Sequence, residues 1–209
     1  MENQTNRIKL IGTVISEPVL DHESNNEQFF TFKFEVKRYS GEPDTLSVLI
    51  SENFLLQNKV APGIRLDIEG QIRSFNKLNK ESNKSQLLIS VFVLSVKTAD
   101  TSNDVNDVYL LGNICKAPTK RTTPFGRIIT DMLVAVNRAY GKSDYLPIII
   151  WGRNAVFAEN LYVGLRVELV GRLQSREYEK RIDENSTETR TAYEVSASSI
   201  KVIEQEAKE

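Results

Sequence analysis

The sequence predicts an all-β protein made of two tandem five-stranded barrels, each with a short helix between its third and fourth strands. Three observations carry this expectation. First, NRIKLIGTVISEP (Asn6 to Pro18) returns as NDVYLLGNICKAP (Asn106 to Pro118), with Gly12 answered by Gly112 and Pro18 by Pro118. Second, the echo continues in the same order. FKFEVKR (Phe32 to Arg38) meets MLVAVNR (Met132 to Arg138), TLSVLI (Thr45 to Ile50) meets YLPIII (Tyr145 to Ile150), and PGIRLDIEGQIRS (Pro62 to Ser74) meets VGLRVELVGRLQS (Val163 to Ser175) one residue further on. A repeat of this length is a copied domain and not a solenoid unit. Third, apolar residues alternate with polar ones at period two along most of these blocks.

Within each copy the elements follow one order. The echoed Asn-to-Pro block is the first strand. The second, FTFKFEVKR, sets Phe30, Phe32, Phe34 and Val36 on one face and Thr31, Lys33, Glu35 and Lys37 on the other. The third is TLSVLI or YLPIII. A helix follows in SENFLLQNKVAPG or GRNAVFAENLYVG, opened by a Ser or Asn start signal and stopped by Gly. The fourth strand, RLDIEGQIR in the first copy, sets Leu66, Ile68, Gly70 and Ile72 on one face; the fifth is QLLISVFVLSVK or TAYEVSASSIKVI. The polar segments NKLNKESNKSQ and KRIDENSTETR between strands four and five read as solvated hairpin loops. Five strands with a helix between the third and fourth is the order of an OB barrel. The expected domains are residues 1–99 and 104–203, joined by the short polar linker TADTSNDVN, with a short acidic end at 204–209.

Bulk composition narrows the function classes. The 209 residues carry 27 Lys and Arg against 28 Asp and Glu, so the total charge makes no case for a polyanionic partner. Counted by repeat, 14 basic residues face 12 acidic ones over 104–203, and 12 face 11 over 6–97, so each repeat is slightly basic. The single cysteine, Cys115, excludes an intramolecular disulfide framework and reads as a small buried hydrophobe. MENQTNR lacks the apolar core of a signal peptide, which leads to the expectation of a cytoplasmic protein. The one histidine, His22, sits in DHESNNEQ and reads as solvated; no phosphate loop, nucleophile motif or ligand cluster is found. The expectation is a binding protein and not an enzyme, with no cofactor and no metal.

The differences between copies point to the binding face. Tyr145 and Trp151 share parity opposite Leu146, Ile148 and Ile150, while Arg172, Arg176 and Tyr178 lie opposite Leu169 and Leu173. Tyr140 stands just past Arg138. Interleaved rings and cations of this kind suit a single nucleic-acid strand, whose bases stack on rings while Arg and Lys follow the phosphates. The first copy has Thr45 and Ser51 where the second has Tyr145 and Trp151, and its loop DHESNNEQ is acidic where the second has KRTTPFGR. It keeps Tyr39 and Phe75 as stacking rings, with Lys33, Lys37, Arg38, Arg73, Lys77 and Lys80 around them, and is expected to contribute only auxiliary binding.

NDVYLLGNICKAP, TTPFGR, IIIWGRNA and GLRVELVGRLQSREY, in this order and spacing, make the second repeat similar to the OB domain of bacterial single-stranded DNA-binding proteins and of the related primosomal protein PriB. The resemblance implies single-stranded DNA binding in replication, recombination or repair, with base stacking on Tyr140, Tyr145, Trp151 and Tyr178. Arg121, Arg127, Arg138, Lys142, Arg153, Arg172, Arg176, Lys180 and Arg181 are expected to meet phosphates, and Phe125 to join the DNA-binding face. It also implies four OB domains per assembly, hence a homodimer of this two-domain chain. Two departures stand out: two OB domains are fused, and the chain stops at IKVIEQEAKE without the family's acidic, apolar-tipped recruiting peptide. The alternative is a PriB-like adaptor that grips a protein through the same face.

Overall fold

A computed structural model describes residues 5–79, 84–138, 141–181 and 186–204; Lys80 and Tyr140 lie outside the described residues. The first repeat forms β1 (Asn6–Val14), β2 (Val19–Ser24), β3 (Glu27–Lys37), β4 (Pro43–Ser51), α1 (Glu52–Gln57), β5 (Arg65–Asn79) and β6 (Lys84–Thr98). The second forms β7 (Val105–Thr122), β8 (Ile128–Asn137), β9 (Ser143–Trp151), α2 (Gly152–Glu159), β10 (Arg166–Arg181) and β11 (Thr187–Val202). The strands run in the order β10-β11-β9-β8-β7-β1-β5-β6-β4-β3-β2, and extra β10–β7 and β1–β3 pairings close each half into a barrel. Each barrel has one parallel pair, β4 with β6 and β9 with β11, and is otherwise antiparallel. This is the OB topology that the element order predicts.

Alternation places the core. Leu10, Phe34, Leu46, Ile50, Leu66 and Ile68 are fully buried in the first barrel; Leu110, Val134, Leu146, Ile150, Val167 and Leu169 are their counterparts in the second. Each such side chain contributes about 1.5–3 kcal/mol by leaving water. The echoed glycines mark the barrel closure. A Cβ on Gly12 would stand 2.2 Å from the Glu35 carbonyl oxygen, and one on Gly112 2.5 Å from that of Ala135, because the first strand presses here against the second. Only a residue without a side chain admits that approach.

Three sequence expectations are corrected. DHESNNEQ is not an open loop: β2 pairs with β3 around Asn25-Asn26, both at positive φ (51° and 61°), a two-residue hairpin turn. The segments NKLNKESNKSQ and KRIDENSTETR are in large part strand, since β5 pairs with β6 out to Asn79↔Lys84 and β10 with β11 out to Arg181↔Thr187, forming two long ribbon arms. Alternating polar residues on both faces hid this pairing. Finally, neither helix is capped by a side chain. Ser51 precedes α1 without a capping hydrogen bond, Trp151 precedes α2, and Asn154 instead donates to the Ser198 carbonyl at 3.0 Å.

The two barrels meet along β1 and β7, which pair antiparallel with Ile8 opposite Val108. These two residues occupy the same place in the two copies, so a pseudo-twofold axis passes between them. Around it a polar junction is built twice. Asp44 (1% exposed) accepts from Arg38 Nε at 2.8 Å and Nη2 at 2.6 Å, and from the Ser175 backbone N–H at 2.8 Å. Asp144 (0% exposed) accepts from Arg138 Nε at 2.6 Å, from the Ser74 backbone N–H, and additionally from Arg73 Nη1 at 3.3 Å. Ser175 Oγ receives the Thr45 N–H at 2.9 Å, and Ser74 Oγ the Tyr145 N–H at 2.8 Å. Each buried carboxylate therefore holds a side chain of its own barrel and the backbone of the other.

Candidate nucleic-acid interface

Two grooves flank this junction, one per barrel. The strand parity that buries Leu146, Ile148 and Ile150 turns Trp151 to the second groove, where its ring is half-buried and its Nε1 donates to Ser196 Oγ at 3.1 Å. Ser196 lies on β11 beside Ile149 of β9, so the hydrogen bond fixes the indole across two neighbouring strands. Arg172 and Arg176, which strand parity turns away from Leu169 and Leu173, line the same groove with Arg121, Arg127 and Phe125, and Phe125 is 92% exposed. Six Lys and Arg side chains line it against the three carboxylates of Glu42, Glu177 and Glu194. The Arg176 guanidinium lies 5.8 Å from the ring centroid of Tyr178, within cation–π range.

Arg172 has an unusual environment. Its Nη2 donates to Gln174 Oε1 at 3.2 Å, while its Nε is buried without a partner. Burial lowers its pKa first, and the nearby Arg38 guanidinium lowers it further. The Asp44 carboxylate offsets part of this, and the unpaired N–H on a half-buried cation offers a donor that suits an anionic acceptor.

Other expected residues are placed differently. Arg38 and Arg138 point to the grooves at one edge, yet both guanidiniums are engaged with Asp44 and Asp144 and so hold the barrels together. Arg121 forms a bidentate pair with Asp131, which raises its pKa. Tyr145 is exposed at the junction, and Tyr39 is exposed at the turn between β3 and β4. Arg153 is the second residue of α2, Lys180 and Arg181 lie far out on the β10 arm, and Lys37 lies at the end of β3; none of these lines either groove. Lys142, Arg73, Phe75 and Lys77 line the first-repeat groove. Lys33 lines both grooves, with its Nζ 3.4 Å from the hydroxyl of Tyr193.

Sequence reasoning missed several residues that the fold brings to these surfaces. Tyr193 of β11 lines both grooves. Phe29 and Phe92 line up with His22, whose ring stacks on Phe29 at 5.0 Å, while Phe29 meets Phe92 at 6.1 Å. His22 is therefore a ring in a stack, with Nδ1 2.6 Å from Asp21, and not a merely solvated residue. Cys115 is only half-buried, its thiol donating to the Leu133 carbonyl at 3.3 Å.

Comparison with known proteins agrees with this architecture. The model of the single-strand binding protein family matches residues 105–203. The Single-stranded DNA-binding protein of Bacillus cereus is 35% identical over 82 residues, 36% of this chain and 48% of that protein, so the chain spans about half its length. Single-stranded DNA-binding protein 2 of Streptococcus agalactiae is 31% identical over 109 residues, 49% of this chain and 79% of that protein. The crystal structure of the single-stranded DNA binding protein from Thermus aquaticus superposes with a TM-score of 0.77 over 98% of this chain and 95% of that one, at 19% identity, and shares the fold. With the family model on its second barrel and a Streptococcus relative matched over most of its length, the chain belongs to the single-strand binding protein family.

Proposed function

We propose that the protein binds single-stranded DNA without strong base-sequence preference, and that it is a binding protein and not an enzyme. The observation that carries this reading is the Trp151 groove, a half-buried indole set among six basic side chains with one guanidinium N–H left unpaired. Bases stack on Trp151, Tyr178, Tyr145 and Tyr140, while Arg172, Arg176 and Arg127 meet phosphates; every base has a π-face, so such a surface tolerates any sequence. The domains are residues 1–99 and 104–203. Two chains associate to present four barrels, and the setting is the cytoplasm, in replication, recombination or repair.

Trp151 is the single tryptophan, so its emission reports the groove alone. Adding oligo(dT) is expected to quench it and duplex DNA hardly at all, because paired bases offer no free face. Binding is expected to weaken with salt. Each phosphate contact on a single strand adds about −0.7 to the slope of log affinity against log salt, so about five contacts give roughly −3.5 and a fourfold rise in salt costs roughly a hundredfold. Unchanged emission together with salt-independent behaviour would refute the reading and favour an adaptor that grips a protein.

A further inference from the structure

We infer that β2 is a docking edge for a short, extended, basic segment of a partner protein, which joins the first barrel as one more strand. The edge lies apart from the Trp151 groove, and the inference does not rest on the function proposed above.

β2 ends the strand order and, among the described residues, pairs with β3 alone. Its outer edge therefore presents backbone N–H and C=O groups with no strand beside them. All six of its residues are exposed, including Val19 at 62% and Leu20 at 53%. Sheet proteins ordinarily blunt such an edge, because any extended chain can pair with it. Here two apolar side chains stand on it instead. The bulge between Leu20 and His22 interrupts the regular spacing, so the edge suits a short segment and not a long ribbon.

The second barrel shows that the two copies have diverged at this edge. Its matching stretch, KAPTKRTTP (116–124), holds three cations and no carboxylate, whereas SEPVLDHES (16–24) holds three carboxylates and no Lys or Arg. Thr119 and Lys120 stand where the first barrel has Val19 and Leu20. Lys120 is tied to Glu159 of α2 and Arg121 to Asp131 of β8, so the second barrel engages its own edge charges. In the first barrel, Glu17 and Glu23 are exposed and their carboxylates have no partner among the described residues.

Charge selects the occupant. Glu17, Asp21 and Glu23 repel a nucleic-acid strand. A second copy of β2 would set Asp21 and Glu23 against the same residues of the first, and like charges opposite one another destabilise a strand pair. Register puts Leu20 and Glu23 on one face, opposite Phe30 and Gln28, while Val19 stands on the other, opposite Thr31. Asp21 lines the first-repeat groove with Thr31, so it joins Val19 on that face. Each face of the edge thus offers one apolar and one acidic side chain. An extended segment that mixes apolar and basic residues matches both: its main chain supplies the pairing, and its side chains fix the register.

The test uses the whole chain and a fluorescein-labelled peptide, Lys-Val-Val-Lys-Lys-Val-Val-Lys, which sets Lys and Val on both faces of a strand. Its anisotropy is expected to rise with one peptide bound per chain, and amide hydrogen exchange over Val19–Ser24 is expected to slow. Replacing every Val of the peptide by Pro keeps its charge and removes its capacity for strand pairing, so that peptide is expected not to bind. Glu17→Lys with Glu23→Lys changes two exposed side chains that line neither groove. It is expected to weaken peptide binding about tenfold and to leave the response of Trp151 to oligo(dT) as in wild type. No binding of the Val peptide, equal binding of the Val and Pro peptides, or β2 exchange that the peptide does not slow overturns the docking edge. Protection of β2 that grows with chain concentration in the absence of peptide assigns the edge to a second copy and overturns it too. Oligo(dT) quenching is read in the same samples, so failure of the edge and failure of the proposed function are told apart.

Discussion

Asp144 and Trp151 show how differently two residues of one strand can be read. Trp151 was legible, because its parity against Leu146, Ile148 and Ile150 turns it away from the core. Asp144 was not, because an acidic residue in an alternating strand ordinarily faces water, and only the packed second barrel supplies its donors. A signal was nevertheless present: Arg38, Asp44 and Ser74 recur as Arg138, Asp144 and Ser175. Asp144→Asn keeps the shape and removes the charge that Arg138 and Arg73 share. It should destabilise the chain by about 3–5 kcal/mol in urea unfolding, the usual cost of stranding a buried charge. Asp44→Asn should cost less, because Arg38 is the one guanidinium bonded to that carboxylate among the described residues. Cys115 gives a pH test. Burial pushes its thiol up from the usual range, so the thiolate forms only at higher pH than in the unfolded chain. Its labelling by a thiol reagent at neutral pH should be slow, and should accelerate on denaturation or as pH rises beyond the ordinary thiol pKa.

The five barrel strands and the helix of each copy were legible in order, because period-two alternation is strong wherever one face is buried; the exposed strand β2 was not. Their ends were not. The arms of β5–β6 and β10–β11 extend past the barrels, where neither face is buried and alternation carries no hydrophobic signal. The β2–β3 hairpin turns on two asparagines, which reach positive φ without the glycine that usually marks such a turn. Gly12 is the element-scale feature most open to test. Gly12→Ala would drive a methyl into the Glu35 carbonyl, so β1 and β3 must separate. A loss of about 1–3 kcal/mol and a Tm lowered by several degrees are expected. Gly63→Ala, in a turn with open space around it, costs only the strain of its positive φ and serves as the comparison in the same melting experiment.

Across the whole molecule, β1 and β7 place two barrels about a pseudo-twofold axis within one chain, an arrangement that separate copies would otherwise need a symmetric interface to reach. The four-barrel assembly proposed above would then require two chains. Light scattering should give twice the 23.7 kDa chain mass, and a value of one chain mass at micromolar concentration, with and without DNA, would rule the dimer out. The exposed cations also permit a test that spares the junction: Arg127→Gln with Arg176→Gln should flatten the salt slope by about 1.4 while leaving the melting temperature unchanged.

The approximate nature of that axis has a further effect. On a true twofold dimer, a strand laid across the dyad from 5′ to 3′ and the same strand laid in reverse are related by symmetry and bind equally well. Here a strand running in one direction would meet Trp151 first and in the other Phe75 first, and Arg176 and Tyr178 are matched by Phe75 and Lys77 in exchanged order. For a strand bound as proposed, the two directions would no longer be equivalent, and oligonucleotides of opposite polarity carrying one end label should differ in how strongly they quench Trp151.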